Sequence, residues 1–200
     1  MRRVLHGGLA TLAILSIAGC QLTLKRPDLV PSRVIEPELV KPAARTGGTG
    51  DAIAVRLVET QARGHIGRRV LHREAGGELT QDPVWQWSSA PDRYLDTALR
   101  VELAANAGVR LVDSADASTV GVTLLAWHLE SANAGNQLIG VVEVEVTSPD
   151  HSIRTDVVRA AEPVSATLPG DLAAVAGRLL QRLVSETLAR VSRSKGALSP

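Results

Sequence analysis

Hydrophobic and polar positions along this chain switch between two periods. In "DAIAVRLVETQ" the apolar residues Ile53, Val55 and Leu57 recur at every second position, which predicts a half-buried strand. "RRVLHRE" and "GELTQDPVWQW" lie on either side of Gly76-Gly77 and read as a hairpin. The period then lengthens. Ser88-Ser89-Ala90-Pro91-Asp92 combines polar caps, a first-turn proline and an early carboxylate. Behind it Leu95, Ala98, Leu99 and Leu103 form one stripe, so a helix is predicted to about Asn106, stopped by Gly108. "VRLVDS" predicts a short strand, and "STVGVTLLAWHLES", "LIGVVEVEVTS" and "IRTDVVRAAEPVSA" predict an antiparallel meander.

Within that meander Val142, Val144 and Val146 oppose Val141, Glu143 and Glu145, giving one buried and one wetter face. Val120, Val122 and Leu124 alternate with Leu125, Trp127 and Leu129, which predicts a second apolar face and leaves a homo-oligomer open. A last helix is announced by Pro169-Gly170-Asp171. Its Leu172, Val175, Ala176, Leu179, Leu180, Leu183, Val184, Leu188 and Val191 share one broad stripe. The expected fold class is α+β, a mostly antiparallel sheet with two amphipathic helices packed on one face.

The N-terminus belongs to a different regime. Met1-Arg2-Arg3 is a positive start, and "LATLAILSIA" is an apolar run of the size of a secretory signal core, too short to span a bilayer. It ends at Cys20, the only cysteine of the 200 residues. The stretch "IAGC" resembles the lipobox of bacterial lipoproteins. That resemblance implies cleavage between Gly19 and Cys20, acylation of the Cys20 thiol and acylation of the new amino terminus. Gln21 replaces the aspartate that retains such proteins at the inner membrane, so the resemblance implies sorting to the periplasmic face of the outer membrane of a Gram-negative bacterium. One acyl chain binds a membrane only marginally, at about 0.8 kcal/mol per buried methylene, whereas three would anchor the protein effectively permanently.

"KRPDLVPSRVIEPELVKPAARTGGTG" follows, with Pro27, Pro31, Pro37 and Pro42 and a Gly/Thr cluster. Proline removes backbone donors and favours extended chain, so residues 20–50 read as a semi-rigid tether. An alternative stands beside it: Leu29-Val30 and Val34-Ile35 add an edge strand or dock on a partner. The expected organisation is a signal peptide at 1–19, the acylated tether at 20–50, one domain at 51–193 and a tail at 194–200.

Charge changes the picture little. The whole chain has a formal net charge of +1, and the signal removes Arg2 and Arg3, so the mature protein is close to neutral with no basic patch of the kind nucleic acid demands. Without a second cysteine no intramolecular disulfide can staple the fold, and stability must come from the core.

The ordered set "VWQWSSAPDRYLDTALRVELAANAGVRLVDS", meander and terminal "DLAAVAGRLLQRLVSETLARV" resembles the ABC-type transport auxiliary lipoprotein family. Trp87, Ala90 and Pro91 match its Trp-small-x-Pro start of the first helix, and Leu95, Leu99 and Leu103 match its leucine rhythm. The likeness runs from about Ala52 to Val191. It implies an accessory role, without catalysis or cofactor, in an envelope system that joins an ATPase, a permease and a membrane-anchored Mce-type protein and handles lipids or other apolar molecules. A lipoprotein that regulates a peptidoglycan synthase or another envelope complex is the alternative, because an anchor and tether serve it equally well.

Side chains that carry chemistry are sparse. Trp85 and Trp87 share one strand face and Trp127 lies in the meander; they either fill the core or form an apolar ledge for a partner or lipid. His72 and His128 lack a second ligand at a metal spacing, so no metal site is expected. Arg68, Arg69, Arg73 and His72 either meet anionic headgroups or protect a solvated strand edge. Glu143 and Glu145 point to solvent without an acid–base partner, and no nucleophile elbow, metalloprotease motif or phosphate-binding loop occurs, so no catalytic residue is assigned.

Overall fold

The computed structural model describes residues 31–39, 52–106, 108–132, 135–165 and 170–193. In these the chain forms β1 (Arg33–Ile35), β2 (Ile53–Leu57), β3 (Gln61–Ala62), β4 (Arg69–Arg73), β5 (Leu79–Trp87), α1 (Pro91–Ala105), β6 (Val109–Leu111), β7 (Ser118–Ala132), β8 (Gly135–Thr147), β9 (Ile153–Val164) and α2 (Gly170–Arg193).

Strand β7 organises the sheet. One of its edges pairs antiparallel with β8 along its length, from Thr119 opposite Thr147 to Ala132 opposite Gly135, and β8 pairs antiparallel with β9. The other edge is covered in succession by β2, β3 and β4, all parallel to β7, with Val55 opposite Ser118, Gln61 opposite Thr123 and His72 opposite Leu129. Beyond them β6 runs parallel to β2, β5 antiparallel to β4, and β1 parallel to β5. The sheet is therefore mixed, which corrects the mostly antiparallel expectation. Strands β2, β3 and β4 run in one direction, and the chain then crosses through β5, α1 and β6 before it enters β7. A crossover of that length delivers parallel neighbours, whereas a tight turn delivers antiparallel ones.

Both helices form where the 3.6 period places them. In α1, Leu95, Leu99 and Leu103 are buried, and Asn106 ends the helix. The serines before it do another job from the one expected. Ala90 is the N-cap and makes no side-chain capping bond; instead the Ser89 N–H donates to the Tyr94 hydroxyl at 2.6 Å, and Ser88 bonds both Tyr94 and Glu36. In α2 all nine residues of the stripe are buried. This helix lies over β8 so closely that a Cβ at Gly140 would stand 2.7 Å from Leu183 Cδ1, so the glycine leaves the room that Leu183 and Leu179 fill. α1 and α2 cover the same sheet face and share one core.

A bulge decides which residues reach that core. Leu124 pairs with Val142 and Ala126 with Val141, so Leu125 is an extra residue of β7. Strict alternation would send Trp127 and Leu129 to the face opposite Val120, Val122 and Leu124. The extra residue returns them, and all five are buried in one cluster. The second apolar face expected from Leu125, Trp127 and Leu129 does not exist.

The alternative reading of Val34-Ile35 is the one the structure shows. β1 pairs Arg33, Val34 and Ile35 with Trp85, Gln86 and Trp87, and the Ser88 N–H donates to the Ile35 carbonyl at 2.8 Å. Ile35 and Pro37 are buried, and the Glu38 N–H donates to the Ala173 carbonyl of α2 at 3.2 Å. Glu38 crosses α2 where the helix has no side chain, because a Cβ at Gly177 would overlap the Glu38 carbonyl. Part of the proline-rich segment is thus built into the folded body.

Candidate interaction surface

Two of the three tryptophans are core. Trp87 and Trp127 are 1% and 2% exposed and meet edge to face with centroids 5.8 Å apart. Their burial leaves them no surface to offer a partner or a lipid. Trp85 is half-buried on the same side of β5, and the Arg33 guanidinium of β1 lies 5.3 Å from its ring centroid. Trp85 thus helps seat the N-terminal strand. Cys20, Gly19 and Gln21 lie outside the described residues.

Beside Trp85 the chain of β5 loops outward, and Asp82 holds it. Asp82 Oδ1 accepts the backbone N–H groups of Val84 and Trp85 at 2.8 Å each, and Oδ2 meets His72 Nε2 at 2.9 Å. Burial pushes this carboxyl up, but the bonds from Trp85, Val84 and His72 outweigh it and hold its pKa below the ordinary 3.8. With a depressed folded value, ionised Asp82 stabilises the fold above the unfolded pKa, and that contribution is lost as pH falls through the folded value. Asp82→Asn is therefore expected to flatten the loss of stability below about pH 4, read as urea midpoints across a pH series. Equal slopes in variant and parent would remove Asp82 from the acid response.

No helix covers the opposite face of the sheet. In β9, Arg154, Asp156, Val158, Ala160 and Glu162 face α2, where Asp156 pairs with Arg190 and Glu162 with Arg178 and Arg182. The intervening residues point away, and Val157 and Ile153 are 55% and 65% exposed. Glu143 and Glu145 of β8 stand on this uncovered face as the sequence predicts, opposite Thr123 and Gly121. Its other half is basic, with Arg69, Arg73 and Arg159. β9 has one neighbour among the described residues, so it is an edge strand.

His128 sits on this face yet is 3% exposed. Its Nε2 is 3.5 Å from Glu130 Oε2 without hydrogen-bond geometry. Burial holds the imidazole below its usual pKa of 6.5, helped by Arg73 and Arg159 and opposed by Glu130. A neutral His128 is a packed residue of a basic neighbourhood. Sequence reasoning weighs His128 only as a surface or hydrogen-bonded histidine against a metal ligand, and the extra residue at Leu125 that turns it to this face is invisible to strict alternation. The described residues hold no group of His, Cys, Asp and Glu side chains suited to a metal ion, and none of their helices is long and apolar enough to cross a membrane.

No protein-family model and no curated protein matches the sequence. Solved structures share its fold. Protein XCC0632 from Xanthomonas campestris, of family model DUF330, is similar with a TM-score of 0.68 at 14% identity, over 84% of this chain and 100% of its own. An uncharacterized protein reaches 0.56 at 13% identity, over 82% and 98%. Hypothetical protein CT253 from Chlamydia trachomatis reaches 0.56 at 12% identity, over 71% and 96%. Such low identities make this a likeness of fold.

Proposed function

We propose that this protein is a lipid-anchored accessory component of an Mce-type ABC transport system, held at the periplasmic face of the outer membrane through Cys20 and acting as a docking or conduit element without catalysis. The cargo class is lipids or other apolar molecules. One observation carries the reading: a lipobox-like "IAGC" precedes a domain that shares its fold with a DUF330 protein over 84% of the chain. The docked β1 supports it, because the segment that follows the anchor enters the body through Ile35 and is gripped by α2 at Glu38, which fixes where the tether leaves the domain.

The anchor has its own test. Cys20→Ser is expected to abolish incorporation of labelled palmitate and to move the protein out of the membrane fraction, with an unchanged circular dichroism spectrum. Persistent labelling would overturn the assignment of Cys20.

A further inference from the structure

Among the described residues five arginines, Arg100, Arg154, Arg178, Arg182 and Arg190, are held in ion pairs with carboxylates, and the others, Arg68 and Arg69 among them, are not. Arg68 Nε donates to the Trp87 carbonyl and Arg69 Nη1 to the Pro83 carbonyl, both at 3.2 Å, which steadies each guanidinium by one edge and leaves its other N–H groups to solvent. Cations that border one pocket without a counter-charge favour an anion in it.

These two residues line a pocket of about 260 Å³ with His65, Leu71, Leu79 and Gln81, and no acidic residue lines it. Leu71 pairs with Gln81 across β4 and β5, and its side of β4 is the face that no helix covers. The volume lies below the roughly 300–1,000 Å³ of pockets that enclose a drug-sized ligand, so only a headgroup-sized moiety fits. Leu79, 38% exposed, adds apolar surface beside the cations, and Leu71 lies buried beneath it. Guanidinium forks match phosphate oxygens two at a time.

We infer that this pocket binds a phosphate ester, with Arg68 and Arg69 on the phosphate oxygens and Leu79 against the adjoining carbons. The inference stands apart from the accessory-lipoprotein reading, since any phosphate-bearing amphiphile satisfies it. Its test is calorimetric titration of the full chain in a non-ionic detergent with dihexanoyl phosphatidylglycerol, inorganic phosphate and dihexanoyl phosphatidylcholine. Saturable binding of the phosphatidylglycerol above the phosphatidylcholine background is expected, weakened about thirty-fold in Arg68→Gln/Arg69→Gln at roughly five-fold per arginine. Arg178→Gln/Arg182→Gln, which removes equal charge elsewhere, should leave it within about two-fold.

Leu79→Ser separates the two sources of phosphate. Loss of affinity for phosphatidylglycerol alone supports a lipid headgroup, and equal affinities for lipid and inorganic phosphate in the parent support the free ion. Absence of saturable binding by either, or unchanged affinity in a folded Arg68→Gln/Arg69→Gln variant, would overturn the proposal.

Discussion

Deletion of Leu125 is expected to unfold the domain, while Leu125→Ala leaves it folded. The residue matters as a count in the chain more than as a side chain, because it is the extra position that lets β7 place Val120, Val122 and Leu124 and then Trp127 and Leu129 on one face. Without it one half of the strand must turn over. Either Trp127 and Leu129 go to solvent and His128 enters the core, or Val120, Val122 and Leu124 leave it. Removing a buried tryptophan alone costs about 3–5 kcal/mol, and a second apolar residue and a buried imidazole add to that. The sum is comparable to the roughly 5–15 kcal/mol that holds an ordinary domain together. Leu125→Ala trims a half-buried side chain and keeps the register, for a cost of about 1–2 kcal/mol. Thermal melts of the two variants separate these outcomes; a deletion variant that melts like the parent would show that the bulge does not set the faces.

Gly177→Leu is expected to release β1, against the sign that helix chemistry alone gives. Leucine in the middle of a helix is favoured over glycine by roughly 1 kcal/mol. Here any Cβ overlaps the Glu38 carbonyl where the N-terminal segment crosses α2, and a leucine has three further carbons to place. Relief comes from lifting residues 36–39, which breaks the Glu38–Ala173 hydrogen bond and uncovers Ile35. Burial of an isoleucine is worth about 1.5–3 kcal/mol, or roughly ten- to hundred-fold in the docking equilibrium. The amide of Ser88, which donates to Ile35, reports this directly in hydrogen exchange. Unchanged protection together with a raised melting temperature would show that the crossing tolerates a side chain.

What could be read along the chain divides by distance. α1 and α2 carry their evidence within themselves, since a stripe repeated over four to seven turns leaves one buried face, and every stripe residue named for α2 is buried. The β4–β5 hairpin and the meander from β7 to β9 are also local, joined by short turns that dictate antiparallel pairing. The parallel contacts of β2, β3 and β4 with β7 join residues more than fifty positions apart, and no period within a five-residue strand states its direction. The bulge escaped for a related reason. Alternation assumes that every residue counts, and one uncounted residue at Leu125 moved two large side chains to the other face. Trp85 and Trp87 were legible as sharing a side, but their separate depths depend on Arg33 and Trp127, which arrive from elsewhere in the chain.

Gene neighbours bear on the proposed role, but physical association tests it most directly. The full-length acylated chain, carrying a C-terminal affinity tag, is to be captured from envelopes after mild crosslinking, with the Cys20→Ser chain as its unanchored control. The proposed role predicts that an Mce-type protein is recovered with the anchored chain and is reduced at least about ten-fold with the control, since anchoring raises the effective concentration at the membrane. Recovery of a peptidoglycan synthase in its place, or of no Mce-type protein from envelopes that contain one, would contradict it.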